Sequence, residues 1–122
     1  MAEAIARQDA PDVIAPTSAG VAALGFVMDR TKQALAANGY RTEGLESKPL
    51  NDLLWDSADL VINMTGRPSE LVFRGFAERS KVEDWLVRDP YGGEAQLYQQ
   101  ICQELQERIN RLAARLREAQ GE

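Results

Sequence analysis

The chain has 122 residues, 44% of them hydrophobic, with 14 Lys plus Arg against 19 Asp plus Glu and a net charge of −5. That length suits a single domain over residues 1–122, and the acidic balance offers no basic field for nucleic acid. Histidine is absent and there is one cysteine, which removes Ser-His triads, Cys-His dyads, the usual zinc sites and any internal disulfide. With no signal peptide and no long apolar run, the expected setting is soluble and cytoplasmic, away from the membrane.

Met1 to Gln8 has helix-forming composition but nothing ahead of it to cap it, so it reads like a helix entered midway. Asp9 to Pro11 breaks it, and Asp12 to Ser18 is a candidate strand that Pro16 confines to its end or to a sheet edge. Ala19 and Gly20 turn the chain. Val27 to Asn38 then brings Met28, Thr31, Ala34 and Leu35 near one helical face, with Gly39 as the stop.

Leu50 to Asp56 reads as a short helix and Asp59 to Met64 as a strand covered on both faces. Ser69 to Glu78 reads as a helix capped by Ser69. From Lys81 to Val87 the residues alternate, with Trp85 and Val87 on one face, which fits a strand better than a helix. Asp89 precedes Pro90, which drives it out of the α region, and Gly92-Gly93 release the chain into a long helix from Glu94 to Ala119. That helix repeats Tyr98, Ile101, Cys102, Leu105, Ile109, Leu112 and Leu116 at three or four residues, and Glu104/Arg108 and Glu107/Arg111 sit four apart on its solvated side. Helices alternating with strands predict an α/β three-layer sandwich around a mainly parallel sheet, with ligands at the carboxyl ends of the strands.

The order MAEAIAR, SAG at Ser18–Gly20, ALAANGY, ESKPL, ADLVINMT and DPYGG resembles the low-molecular-weight protein tyrosine phosphatase family, whose fold also serves one class of arsenate reductases. The resemblance implies a central first strand and a phosphate loop of the form Cys, five residues, Arg, Ser or Thr, Pro ahead of the Met-Ala-Glu-Ala helix. Neither is in this sequence, so the domain reads as N-terminally truncated and inactive by itself. Removal of a central strand strips hydrogen-bond partners from two neighbours, which predicts instability, self-association through the exposed edges, or completion by another segment.

In the family the loop thiolate attacks phosphorus and an aspartate of an Asp-Pro pair protonates the leaving group. The resemblance transfers that second role to Asp89, makes Tyr91 a wall of the substrate cleft, and makes Ser18 a support of the phosphate loop. Its substrates would be phosphotyrosine proteins or small aryl phosphates, with no cofactor and no metal. From the residues alone, Asp-Pro-Tyr-Gly-Gly is also a good turn, and Ser-Ala-Gly needs no further role. Cys102 lies on the apolar stripe of the last helix and reads as core. Trp85 reads as sheet packing, and Arg67, Arg74 and Arg79 read as surface charges. The acidic pairs Glu83-Asp84 and Asp56/Asp59 lack a companion ligand set for a metal. Arsenate reduction remains open only with an external thiol, and a noncatalytic remnant or binding module of the same fold is the rival from another class.

Overall fold

The computed structural model describes residues 1–20, 29–76, 81–88 and 93–121. Among them three helices precede the first strand and helices and strands then alternate: α1 (Ala2–Asp9), α2 (Asp29–Ala37), α3 (Asp52–Ser57), β1 (Val61–Asn63), α4 (Ser69–Val72), β2 (Val82–Asp84) and α5 (Ala95–Gln120). Helices α1 and α2 both pack on α5.

Of the seven apolar positions of α5 named from its periodicity, the six from Tyr98 to Leu112 are buried and Leu116 is half-buried, because a 3.6-residue repeat gathers them into one stripe that runs out towards the end of the helix. Ile5 of α1 and Leu35 of α2 are fully buried against that stripe, together with Tyr40 and Trp85. Cys102 lies among them with no exposure. Gly39 ends α2 as its sequence requires: its φ of 84° is a left-handed value that costs a side chain strain, and Tyr40 N–H then donates to Leu35 O at 2.9 Å. The two expected ion pairs on α5 form, Glu104–Arg108 at 3.3 Å and Glu107–Arg111 at 3.6 Å.

β1 and β2 pair in parallel with Val61 opposite Val82, Ile62 opposite Glu83 and Asn63 opposite Asp84. Ile62 packs on the core while Val61 is half-buried and Leu60 is 39% exposed. β1 is therefore less covered than its apolar run suggested, since among the described residues only β2 lies alongside it.

The expected strand Asp12–Ser18 does not form. Residues 11–13 turn, with Val13 and Ile14 N–H both donating to Ala10 O, and pairing is reduced to one parallel bridge between Gly20 and Pro49. Pro16 lacks an N–H, and among the described residues no strand runs beside this stretch, so extended backbone there has no ladder to join. Ser69 is likewise not a cap: Pro68 holds the N-cap position of α4 without a side-chain hydrogen bond. α3 is capped instead by Asn51, whose side chain accepts from Leu54 N–H.

A second, aromatic cluster joins α3 to the chain entering β2. Trp55 is buried, stacks on Phe76 at 4.8 Å and meets Phe73 at 5.0 Å. Lys81 Nζ lies 5.2 Å from the Trp55 ring and donates to the Trp55 and Ala58 carbonyls, so one ammonium closes the carboxyl end of α3.

Candidate active site

The carboxyl ends of β1 and β2 meet at Asn63, which is 3% exposed and uses its whole amide. Its Nδ2 donates to Arg67 O and to Asp84 Oδ1, both at 2.9 Å, and its Oδ1 accepts from Thr65 N–H and Thr65 Oγ1. One side chain thus folds residues 63–67 into a tight loop, with Gly66 at φ 77°, and ties that loop to β2. An asparagine at the end of an apolar run, followed by Thr-Gly, is the sequence signal for such a turn.

Beyond β2, Trp85 is buried and its indole N–H donates to Glu83 Oε2 at 2.7 Å. Arg115 from α5 grips the same carboxylate at 2.9 and 3.0 Å. Burial works against the Glu83 charge, but the indole and the guanidinium outweigh it and hold the carboxyl below its ordinary value. Arg108 lies 5.8 Å from the Trp85 ring, and its Nη2 donates to Leu86 O at 3.0 Å. On the far side of the Asp-Pro-Tyr-Gly segment, Arg30 of α2 donates to Gly93 O at 2.5 Å. Arg88, Glu94, Gln96, Leu97 and Gln100 line an open cavity of about 330 Å³ beside the start of α5.

Of the residues named from the sequence, Asp89 and Tyr91 lie outside the described residues, as does Arg79. Arg67 and Arg74 are exposed. Ser18 is exposed and donates from Oγ to Glu3 Oε1 at 3.0 Å. Glu3 is 7% exposed at the start of α1 and is also held by Arg7 at 2.7 Å. Glu3 was not singled out from the sequence, where only the four-residue spacing to Arg7 hints at it. Burial pushes the Cys102 thiol up, the opposite of what an attacking thiolate needs. Among the described residues no group of three His, Cys, Asp or Glu could hold a metal ion, and no helix is long and apolar enough to cross a membrane.

A parallel β1–β2 pair tied to a long helix through the Glu83–Arg115 bond is the arrangement of an α/β sandwich, the fold of the phosphatases it superposes on. The family model for low molecular weight phosphotyrosine protein phosphatase matches residues 1–121, and the chain belongs to that family. A protein-arginine-phosphatase of Bacillus subtilis is 35% identical over 81 residues, which cover 58% of this chain and 54% of that relative, so the match spans about half of the relative's length. The YwlE arginine phosphatase from Geobacillus stearothermophilus superposes with a TM-score of 0.87 at 26% identity, covering 98% of this chain and 84% of that one. The tyrosine phosphatase Wzb from Escherichia coli, solved with sulphate, gives 0.84 at 25% identity over 94% and 87% of the two chains.

Proposed function

We propose that this chain carries the acid half of a protein phosphatase that cleaves phosphotyrosine-type monoesters through a phosphocysteine. Asp89 protonates the leaving oxygen and then activates the water that releases phosphate, Tyr91 walls the cleft, and Ser18 supports the phosphate loop. The observation that carries the reading is the family match along residues 1–121, which includes the Asp-Pro-Tyr-Gly-Gly segment between β2 and α5. A second substrate class, phosphoarginine, is favoured by the likeness to two arginine phosphatases. The same acid would serve there, protonating a leaving nitrogen instead of an oxygen.

The only thiol of the 122 residues is Cys102, buried and raised in pKa, so the chain by itself does not turn over. The nucleophile enters with a strand and phosphate loop that add to the edge of β1 not used by β2, and the same edge makes the isolated chain prone to self-association. A lone cysteine, which has no partner for an internal disulfide, fits a reducing cytoplasm as the setting of this activity.

The test is turnover of p-nitrophenyl phosphate, a phosphotyrosine peptide and a phosphoarginine peptide, with and without a synthetic strand-loop peptide of the form Cys, five residues, Arg, Ser, Pro. No turnover alone, and turnover with the peptide that is lost in Asp89→Asn, is the expected result. Turnover by the chain alone that persists in Cys102→Ser would overturn it. Phosphopeptide binding with no turnover under any condition would instead establish the noncatalytic module, and arsenate consumed in the presence of glutathione would establish the reductase.

A further inference from the structure

The loop that leaves β1 fixes one residue whose side chain bonds to nothing among the described residues. Arg67 N–H donates to Thr65 Oγ1 at 3.2 Å and its carbonyl accepts from Asn63 Nδ2 at 2.9 Å, so both of its backbone groups are used. Pro68 follows and keeps Arg67 out of the α region, and Gly66 before it takes φ 77°. The Asn63 amide that organises the turn is buried and bonded across to Asp84 of β2. The Arg67 backbone is therefore held from the sheet while its guanidinium stands exposed.

Most of the other arginines have work inside the chain. Arg7, Arg30, Arg108, Arg111, Arg115 and Arg117 each bond a carboxylate or a carbonyl. Arg41 lies beside the end of α1, where its N–H donates to Gln8. Arg88, four residues past β2 as Arg67 is four past β1, shares its cavity with the Glu94 carboxylate. Arg74 sits between Phe73 and Phe76, whose rings pack on Trp55, and Lys81 ties Trp55 to the start of β2, so Arg74 belongs to the amino end of the strand pair. Arg67 stands at the carboxyl end, where open parallel sheets take their ligands. Met64 and Leu86, one residue past β1 and two past β2, are 36% and 81% exposed at that end. Apolar surface beside a cation suits a peptide better than a bare anion.

We propose that Arg67 is a specificity residue that binds a carboxylate on the peptide carrying the phosphorylated residue, so that segments with glutamate or aspartate beside the phosphorylation site are preferred. This rests on the phosphatase reading for the identity of the peptide as substrate, while the contact itself involves none of the reacting atoms. A guanidinium fork donates two parallel bonds to a carboxylate, and a backbone already fixed on both sides lowers the entropy lost in holding that pose. The chain has a net charge of −5 and repels acidic peptides at long range, so one placed cation decides where such a peptide docks.

The test is a titration of the 122-residue chain with a tyrosine peptide flanked by glutamates and with its glutamine-flanked twin, in trimethylamine oxide to favour the folded state. Proton–nitrogen spectra read it at the Arg67 Nε–H and at the Thr65 and Gly66 amides. The glutamate peptide should bind about threefold more tightly, and the difference should shrink in about 1 M salt. Arg67→Met keeps both backbone ties and should bind the two peptides alike, Arg67→Lys should retain part of the preference, and Arg74→Met should match the parent. Thr65→Val keeps the guanidinium but removes one tie, and should weaken the preference. Equal binding of the two peptides by the parent, a preference that survives in Arg67→Met or is undiminished in Thr65→Val, or the same shifts at Arg67 with inorganic phosphate alone would each overturn the proposal. Turnover with the strand-loop peptide is read separately. Its absence beside an Arg67-dependent preference would sink the phosphatase reading and leave the contact, whereas equal turnover of glutamate- and glutamine-flanked phosphopeptides would remove Arg67 from specificity and leave the phosphatase.

Discussion

Ser18 and Glu3 meet through a 3.0 Å hydrogen bond that joins the irregular stretch before Gly20 to the first turn of α1. Glu3 is the buried partner and Ser18 the exposed one, so the two sides of the bond differ in what their loss costs. In Ser18→Ala the Glu3 carboxylate keeps Arg7, and the expected cost is below about 1 kcal/mol. Glu3→Ala removes the acceptor for both partners and empties a buried site, at about 2 kcal/mol. Urea unfolding in an osmolyte such as trimethylamine oxide, which strengthens burial, would give both values and that of the double variant. A coupling of about 0.5–1 kcal/mol is expected, and strict additivity would show that the bond contributes nothing.

Asn63 predicts a sharper response. Asn63→Ala leaves Asp84, Thr65 and the Arg67 carbonyl without their common partner, for an expected loss of about 2–3 kcal/mol. Asn63→Asp puts a second carboxylate within hydrogen-bond distance of Asp84, and like charges at that range raise the affinity of the pair for a proton. Asn63→Asp should therefore be more damaging than Asn63→Ala at pH 7 and recover relative to it on acidification to about pH 4, near ordinary carboxyl values. Thermal melts of the two variants at both pH values would check this. A pH-independent gap between them would count against the Asn63–Asp84 contact.

What could be read from the sequence divides along the range of the interactions. α5 was legible because its stripe repeats over 26 residues, and α2 because Gly39 marks its stop. Asp12–Ser18 is not a strand because a short apolar stretch makes one only beside another strand, and with Pro16 and no neighbour among the described residues a single bridge at Gly20 is left. Trp85 lies on the face its alternation indicates, but its contact with Arg108 and, through Glu83, its link to Arg115 depend on a helix more than twenty residues away. Glu3 and Asn63 escaped attention for the same reason: a carboxylate becomes buried, or an amide saturated, only when distant partners such as Ser18 and Asp84 arrive. Asp89 was visible because Pro90 follows it, a purely local signal.

Cys102 gives a prediction about reactivity. It has no exposure, and burial raises its thiol pKa, so at pH 8 the thiolate is both scarce and unreachable. A disulfide reagent should label it only on unfolding, at a rate that follows the opening of α5, and labelling should become fast in urea. Cys102→Ala should leave whatever turnover the strand-loop peptide confers unchanged, while costing about 1 kcal/mol of stability from the lost packing. Rapid stoichiometric labelling of the native chain would contradict the buried position.

Glu83 gives the pH dependence. Trp85 and Arg115 hold its carboxyl below the ordinary value despite burial, so the folded state binds its proton less readily than the unfolded chain. The stability this contributes is complete above the unfolded pKa of about 4.3 and disappears as pH falls through the lower folded value. Asp12, held down by its hydrogen bond to Arg117, acts in the same direction at 2.8 and 2.9 Å. Glu83→Gln should therefore lower the melting temperature by a constant amount from about pH 8 to pH 5, and the difference should narrow below about pH 4 as the parent's own Glu83 is protonated. Arg115→Met should flatten the acid limb in the same way, because it removes one of the two groups that favour the charged form. The Trp85 indole bonds the titrating oxygen directly, so its fluorescence should move over the same acid range in the parent and stay flat in Glu83→Gln. A Trp85 signal that titrates alike in both proteins would assign the acid limb to other carboxylates.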